Sequence, residues 1–286
     1  MIGIIGQGFV GNAVYQKFKR YEKVLTYDLD KNKCNSTFDE LQQKSKIIFV
    51  CLPTPMNTDG SCNLKIVENV LDKLNKVPKF NNNPIFDNSY NYIVIIKSTV
   101  VPGTTKKWNK KYKDLSIVFN PEFLTEANAI NDYENQSRII LGGKRPTTTK
   151  LKPLFAKIFP RAHIIKTDST HAEMVKYITN TFLSVKVSYA NQIQKLCEAI
   201  NIDYDKVIEY ATYDERIGQS HWSVPGPDGK FGYGGSCFPK DIQALIYLAK
   251  QKGVDVSMLE TSWTANLKQR PDKDWEQLLG RAITKD

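Results

Sequence analysis

The chain has 286 residues, 41% of them hydrophobic, which is enough for one large or two modest domains with a buried core. Its formal net charge of +10 reads mostly as Lys on solvated helix faces, with a remainder able to steer anionic ligands such as pyrophosphates; no basic helix, zinc finger or stacking-aromatic motif points to nucleic acid. The five cysteines (Cys34, Cys51, Cys62, Cys197, Cys237) are odd in number and lack CxxC spacing, and there are three His, so neither a disulfide framework nor a metal site is expected.

In chain order, the opening MIGIIGQG is short and interrupted by Gly, so it reads as a first strand rather than a secretion signal. No apolar run approaches the roughly 20 residues that span a bilayer, and a soluble cytoplasmic protein is expected. Short Ile/Val-rich runs then recur at Ile2–Ile5, Val24–Tyr27, Ile47–Leu52, Tyr92–Ile96, Ile117–Phe119, Ile139–Leu141 and His163–Ile165. Polar or amphipathic stretches separate most of them. That alternation predicts an α/β fold, a Rossmann-like doubly wound parallel sheet with helices on both faces. The Asn-rich stretch Asn81–Asn91 reads as a surface loop.

The pattern changes near Thr167. Ser169–Ile200 has neither Gly nor Pro, and Met174, Tyr177, Ile178, Phe182, Val185, Tyr189, Ile193 and Leu196 recur at helical spacing. One long helix of roughly 45 Å is predicted, with Thr167, Asp168 or Ser169 as its cap. It serves either as the spine of a second, mostly helical domain and its dimer interface, or as an internal core helix. Helices over Tyr204–Thr212 and about Pro239–Lys252 flank a Gly/Pro-rich loop at Gly218–Gly235, and Ser257–Asp286 reads as a mostly helical, exposed tail. The expected division is a dinucleotide-binding domain at 1–167, a helical central domain at 168–265 and a tail at 266–286.

Gly6-Gln7-Gly8-Phe9-Val10-Gly11 fits GxGxxG directly after the first strand and opens a helix; the next strand ends at Tyr27-Asp28. In that context Gly6 permits the tight turn, Gly8 the approach of backbone to a pyrophosphate, and Gly11 close helix–strand packing. The helix N-terminus faces the phosphates. Asp28 would accept hydrogen bonds from the adenine ribose and repel a 2′-phosphate, favouring NAD over NADP. Lys33 is a candidate to lie over the adenosine, or an exposed Lys without a role.

A second constellation is Phe231-Gly-Tyr-Gly-Gly-Ser-Cys237-Phe-Pro-Lys-Asp241. Gly232, Gly234 and Gly235 can expose backbone N–H groups to a ligand. Pro239 suits a first helical turn, which puts Cys237 at a helix N-terminus beside Lys240, where thiolate is favoured. Asp241 shares its face at i+4. The alternative is a small buried Cys at a loop–helix junction. Lys176 and Asn180, also at i, i+4, are either donors toward an oxyanion or part of a solvated face. Glu122 and Glu126, after a strand end, are candidates for a base and a ligand contact, or partners of a helix dipole.

Together, Gly6–Gly11, Cys51-Leu-Pro-Thr-Pro55, Asp59-Gly60, Lys97-Ser-Thr-Val100, Asn120–Glu126, Glu173–Asn180, Arg216-Ile-Gly218 and Gly232–Asp241 resemble the UDP-glucose/GDP-mannose dehydrogenase family, in the family's order, across about residues 1–265. The members that oxidise UDP-glucose are the most similar. The resemblance implies four-electron oxidation of a nucleotide-sugar C6 alcohol to the uronic acid, UDP-glucose to UDP-glucuronate, with two NAD. GDP-mannose or UDP-N-acetylmannosamine are sibling substrates, and a non-catalytic NAD-binding dimer is the remaining alternative. By position, Cys237 would be the nucleophile, passing through a thiohemiacetal and a thioester. Lys176 and Asn180 would stabilise alkoxide and tetrahedral states, Asp241 hold a water and Lys network, Glu122 act as base for thioester hydrolysis, and Thr99 position water. Phe123, Leu124, Thr125 and Glu126 would contact substrate, with Gly234 beside them and Glu126 also near the nicotinamide. Phe9, Val10, Pro53, Thr54 and Ser98 would contact NAD. Arg216 would reach the neighbouring subunit's substrate in a homodimer. The family's usual third domain, a second Rossmann-like unit, has no counterpart in Ser257–Asp286.

Overall fold

The computed structural model describes residues 1–76 and 92–284; the Asn81–Asn91 loop expectation lies outside them. In order the elements are β1 (Ile2–Ile5), α1 (Phe9–Phe18), β2 (Val24–Tyr27), α2 (Phe38–Lys44), β3 (Ile47–Val50), α3 (Lys65–Asn75), β4 (Tyr92–Ile96), α4 (Thr104–Lys111), β5 (Leu115–Phe119), α5 (Ala129–Glu134), β6 (Arg138–Gly142), α6 (Arg145–Ile158), β7 (His163–Thr167), α7 (Ser169–Ala199), α8 (Tyr204–Ala211), α9 (Phe238–Gln251) and α10 (Ser257–Gln269). All seven apolar runs are strands, and the long Gly- and Pro-free stretch is one helix.

Two compact units divide the chain: Met1–Thr54 with Leu64–Lys176, and Pro55–Asn63 with Tyr177–Asp286. The first is a seven-stranded sheet in the order β2-β1-β3-β4-β5-β6-β7. Successive strand residues point to opposite faces, and the two resulting cores separate cleanly. Val94 and Ile96 of β4 join Leu41, Val67, Leu71 and Trp108 on one face; Ile93 and Ile95 join Val14, Phe18, Leu151 and Phe155 on the other. Runs apolar at every position are what a sheet covered on both sides requires. One junction departs from the expected all-parallel sheet. β6 meets β5 antiparallel, through the Phe119–Gly142 pair, and β7 pairs parallel to β6. The β5–β6 connection carries only the short α5, whose Ala129 and Tyr133 sit in the core with Val14 and Phe18 of α1. It returns the chain beside β5 without the crossover that a parallel neighbour needs.

Helix ends follow local chemistry. The Thr37 hydroxyl accepts from the Glu40 N–H at α2, and Asp168 accepts from Thr170 and His171 N–H at the start of α7. α4 begins at Gly103 with no side-chain cap of its own. Its orphan donors are met by the buried Glu173, which accepts from Gly103 N–H (2.6 Å) and Thr105 N–H (2.8 Å).

In the second unit, Tyr233, Ile242 and Ile246 form a core with Val187, Phe238, Leu259 and Trp263. The expectation of an exposed helical tail is corrected there. α10 ends at Gln269, and the chain beyond it is tucked in, burying Arg270, Trp275 and Ala282. Met56 N–H donates to Ala282 O, and Thr284 N–H to Met56 O, so the last described residues pair with the Pro55–Asn63 segment. Alternating charged residues hid two buried aromatic and aliphatic anchors. Among the described residues no helix is long and apolar enough to cross a membrane.

Burial pushes the Glu173 carboxyl up to about 6, against the donors from Thr105 and Gly103. A carboxyl whose folded value lies above its unfolded value of 4.5 contributes stability that is complete below pH 4.5 and lost as pH rises through 6. The unfolding free energy of the wild type, measured in urea against Glu173→Gln, should therefore fall by up to about 2 kcal/mol between pH 4 and 7. A difference that is flat or rises with pH would contradict this account of the cap.

Candidate active site

The cofactor end of the first unit is built on three glycines with distinct duties. Gly6 has φ +92°, and a Cβ there would run into the Cys51 carbonyl. A Cβ on Gly11 would overlap the Gly6 carbonyl, whereas one on Gly8 would meet nothing within 4 Å. Gly8 therefore borders open space, and it is the N-cap of α1, which has neither a side-chain cap nor an acid in its first turn. Phe9, Val10 and Gly11 contribute the N–H groups of that uncapped turn, the arrangement that receives a phosphate. The Asp28 carboxylate accepts from Gln7 N–H (2.6 Å) and Asp30 N–H (2.9 Å), which fixes it beside the Gly-rich turn. Cys34 braces the same corner by accepting from Asp28 N–H at 3.0 Å. Leu29, 92% exposed, offers an apolar side chain next to Asp28 that sequence reasoning passed over. These residues fit a dinucleotide. Lys33 is exposed and sits 3.5 Å from Asp30. Pro53 is exposed and Thr54 buried, its hydroxyl donating to Thr99 O. Ser98 accepts from Leu52 N–H at 2.9 Å, and Thr99 is buried.

The turn after β5 carries the acidic centre. Glu122 is buried, and Lys176 Nζ donates both to its Oε1 and to its backbone oxygen, each at 2.8 Å. Burial raises the Glu122 carboxyl, but the Lys176 charge and hydrogen bond, Leu124 N–H and the Lys97 charge outweigh it and hold the group below the ordinary carboxylate value. Lys97 is itself buried, with Nζ bonded to Asn120 Oδ1 (3.0 Å) and Pro121 O (3.3 Å). The half-buried Phe123 carries the Arg138 guanidinium 4.3 Å from its ring centre. Leu124 is half-buried; Thr125 and Glu126 are exposed, with Thr125 held through N–H and Oγ1 by Asp132 Oδ2.

In the second unit Cys237 is half-buried and is the N-cap of α9, with Sγ 3.8 Å from Ser236 Oγ. The buried Asp241 is ion-paired with Lys240 and accepts from Asn180 Nδ2 at 2.6 Å. Burial alone would lower Lys240, yet the Asp241 and Cys237 charges hold it well above the ordinary lysine value. Lys176 and Asn180, the pair that was open to a solvated-face reading, are both buried. Lys176 and Asn180, one turn apart on α7, each engage a carboxylate: Glu122 and Asp241 respectively.

Two expectations change. Gly232 N–H donates to Asn191 Oδ1, Tyr233 N–H to Asn266 Oδ1 and Gly235 N–H to Asp274 Oδ2, so these donors do not face a ligand. Gly234 is required because a Cβ would collide with Arg270 and Asp274; this places its lack of a side chain at the service of a buried Arg270, which pairs with both Asp228 and Asp274. Arg216 is 89% exposed along its side chain and folded onto Asp214. Lys97, Arg138 and Arg270 were missed as site-shaping residues. For Lys97 a signal existed: a lone cation placed directly after five buried apolar residues.

Residues 33–160 match the NAD binding domain of the UDP-glucose/GDP-mannose dehydrogenase family, and residues 170–268 its central domain. The chain belongs to this family. A UDP-glucose 6-dehydrogenase of Haloferax volcanii is 32% identical over 259 residues, covering 86% of this chain and 57% of the relative. A GDP-mannose 6-dehydrogenase of Pseudomonas syringae is 29% identical, covering 87% and 57%. Among solved structures, a UDP-glucose dehydrogenase from Pyrobaculum islandicum superposes with a TM-score of 0.80 at 25% identity, covering 97% of this chain and 70% of that one. The chain thus spans somewhat over half the length of these curated relatives. As a member of the UDP-glucose/GDP-mannose dehydrogenase family carrying its NAD-binding domain, it takes NAD as cofactor, consistent with the uncapped α1 and the fixed Asp28.

The glycine geometry separates folding from binding. Gly8→Ala should leave the melting temperature near wild type but weaken NAD by roughly tenfold or more, about 1.4 kcal/mol, in calorimetric titration. Gly11→Ala should lower both. Wild-type NAD affinity in Gly8→Ala would show that the open space at Gly8 does not receive the phosphates.

Proposed function

We propose that this family member oxidises the C6 alcohol of a nucleotide-sugar, UDP-glucose in the first instance, to the uronic acid. The observation that carries the reading is the pairing of two buried carboxylates with the polar side chains of one helix, Glu122 with Lys176 and Asp241 with Asn180, in a chain whose α9 begins at Cys237. NAD supplies the hydride acceptor, one equivalent for each of two two-electron oxidations. The thiolate of Cys237 adds to the C6 aldehyde, so that the half-oxidised sugar stays bound through a C–S bond. Lys176 and Asn180 donate to the oxygen on C6 as it gains negative charge. Loss of a second hydride leaves a thioester. Water, positioned with Thr99, gives a proton to Glu122 and attacks that carbonyl, and the C–S bond breaks to release the acid and the thiol. A carboxylate held in its ionised form is the state a general base needs, and Asp241 and Lys240 hold the charge balance beside the thiol.

Phe123, Leu124, Thr125, Glu126 and Gly234 contact the sugar-nucleotide in this reading, and Lys33, Pro53, Thr54, Ser98 and Glu126 the cofactor. The likeness to a GDP-mannose 6-dehydrogenase keeps GDP-mannose and UDP-N-acetylmannosamine as alternatives. We further propose a homodimer. Ile178, Phe182, Tyr189, Leu196 and, just past the end of α7, Ile200 are each more than half exposed and, with Val185 and Ile193 between them, follow a 4-3-4-4-3-4 spacing, an apolar stripe with an 11-residue repeat along the helix. Arg216 would serve the neighbouring copy's substrate. We place the chain in the cytoplasm in this reading, where its five cysteines, joined by no disulfide among the described residues, would stay reduced.

Absorbance at 340 nm with NAD and a panel of nucleotide-sugars tests the reaction: two NADH per UDP-glucose are expected, and Cys237→Ser should lose uronic-acid formation while still binding NAD. Uronic acid made by Cys237→Ser would remove the covalent step, and NAD binding without turnover of any sugar would replace the enzyme by a binding protein. Phe182→Glu should sediment as a monomer at concentrations where the wild type is a dimer; an unchanged sedimentation coefficient would rule out the α7 stripe as the interface.

A further inference from the structure

Within the first unit, Glu122 faces two buried lysines, not one. Lys176 bonds it directly. Lys97 follows the last residue of β4 and bonds the two residues before Glu122, through Asn120 Oδ1 and Pro121 O. Asn120 is pinned from its other end, donating Nδ2 to Ile140 O at 2.8 Å. The Lys97 ammonium sits 5.3 Å from the centre of the buried Tyr133 ring, and its charge is felt by Glu122, Cys51 and Lys176. Cys51, close behind, is held as a neutral thiol by burial, which pushes it up to about 12. Further charges on the adjoining segments are Arg138, spread over the Phe123 ring, the exposed Glu126 and Asp132, which holds Thr125. Two ammonium groups thus stand against one carboxylate, and the cluster holds an excess positive charge in a buried place. A second cation is redundant for a static Glu122–Lys176 ion pair. It has a use when the Lys176 proton donors turn to a developing oxyanion, because Glu122 would then lose its nearest partner at the stage when it must stay ionised.

We propose that Lys97 is a positioning residue that fixes the Asn120–Pro121–Glu122 turn and acts as the reserve cation of Glu122, keeping the carboxylate charged while Lys176 is engaged by the reacting oxygen. The proposal rests on Glu122 being the base of the reaction proposed above. Burial lowers Lys97 to about 8, opposed by the charges of Glu122 and Cys51, so the ammonium form holds throughout the acidic range in which Glu122 titrates.

Lys97→Gln removes the charge while its amide can still donate to Asn120 Oδ1; Lys97→Arg keeps the charge. For NADH formation with the full chain, the acid limb of the pH profile should move up by about one unit in Lys97→Gln, a loss of roughly tenfold in kcat on that limb, with KM for NAD unchanged. Lys97→Arg should hold the limb near the wild-type position. An acid limb that stays in place in folded Lys97→Gln overturns the proposal. A second measurement needs no turnover, and so separates this inference from the reaction it rests on. Urea unfolding of wild type, Lys97→Gln, Glu122→Gln and the double variant is followed from about pH 2.5 to 6, a window that reaches below the ordinary carboxylate value. A carboxyl held low in the folded state contributes stability above its unfolded value and loses it as pH falls through the folded value. The stability gap between wild type and Lys97→Gln should therefore widen as pH rises, and this widening should vanish in the Glu122→Gln background. A gap independent of pH in both backgrounds overturns the proposal, whatever the substrate panel gives.

Discussion

The first unit is organised around the ion pair of Glu122 and Lys176, both almost completely removed from water. Desolvating two such charges costs several kcal/mol each, and a buried pair of this kind is often no more stable than well-packed apolar residues in its place. What it does achieve is local order and a defined charge state. Lys176 binds the carboxylate and the backbone oxygen of the same residue, and Lys97 binds the backbone oxygen of the residue before it. The turn at the end of β5 is gripped through main-chain and side-chain atoms together. A chain selected for stability alone would have little reason to bury two lysines beside one glutamate; a chain that must keep a carboxylate ionised away from water would.

The second unit repeats the logic with different partners. Asp241 is enclosed by Lys240 and Asn180, within the first turn of the helix that Cys237 begins. The loop leading to Cys237 is stiffened by saturating its donors: Asn191, Asn266 and Asp274 each take a backbone N–H, and Arg270 packs where a side chain at 234 would stand. Glycine is needed in this loop to admit protein groups, and its rigidity comes from residues of α7, of α10 and of the chain beyond α10.

How legible each feature was follows from the range of its cause. Strands buried on both faces betray themselves as continuous Ile/Val runs, and the GxGxxG turn states its glycine duties locally, because Gly6, Gly8 and Gly11 act within one strand–turn–helix unit. The family motifs also marked Glu122, Lys176, Asn180 and Asp241. Their contacts were not legible, since Lys176 meets Glu122 across 54 positions and Asn180 meets Asp241 across 61. Nor was the direction of β6, which depends on whether a connection crosses over the sheet, nor the burial of Trp275 within a run of charges.

The amino-acid sequence by itself determined the α/β class, the glycine-rich turn and the long α7, and it marked the candidate site residues, because periodicity, glycine freedom and side-chain type are local properties of a chain. Tertiary structure alone decided which carboxylate each cation serves, that Lys97 stands behind Glu122, and that Gly234 makes room for Arg270. Electrostatic partnership and exclusion of water belong to distances in space, and those exist only once the strands and helices have packed.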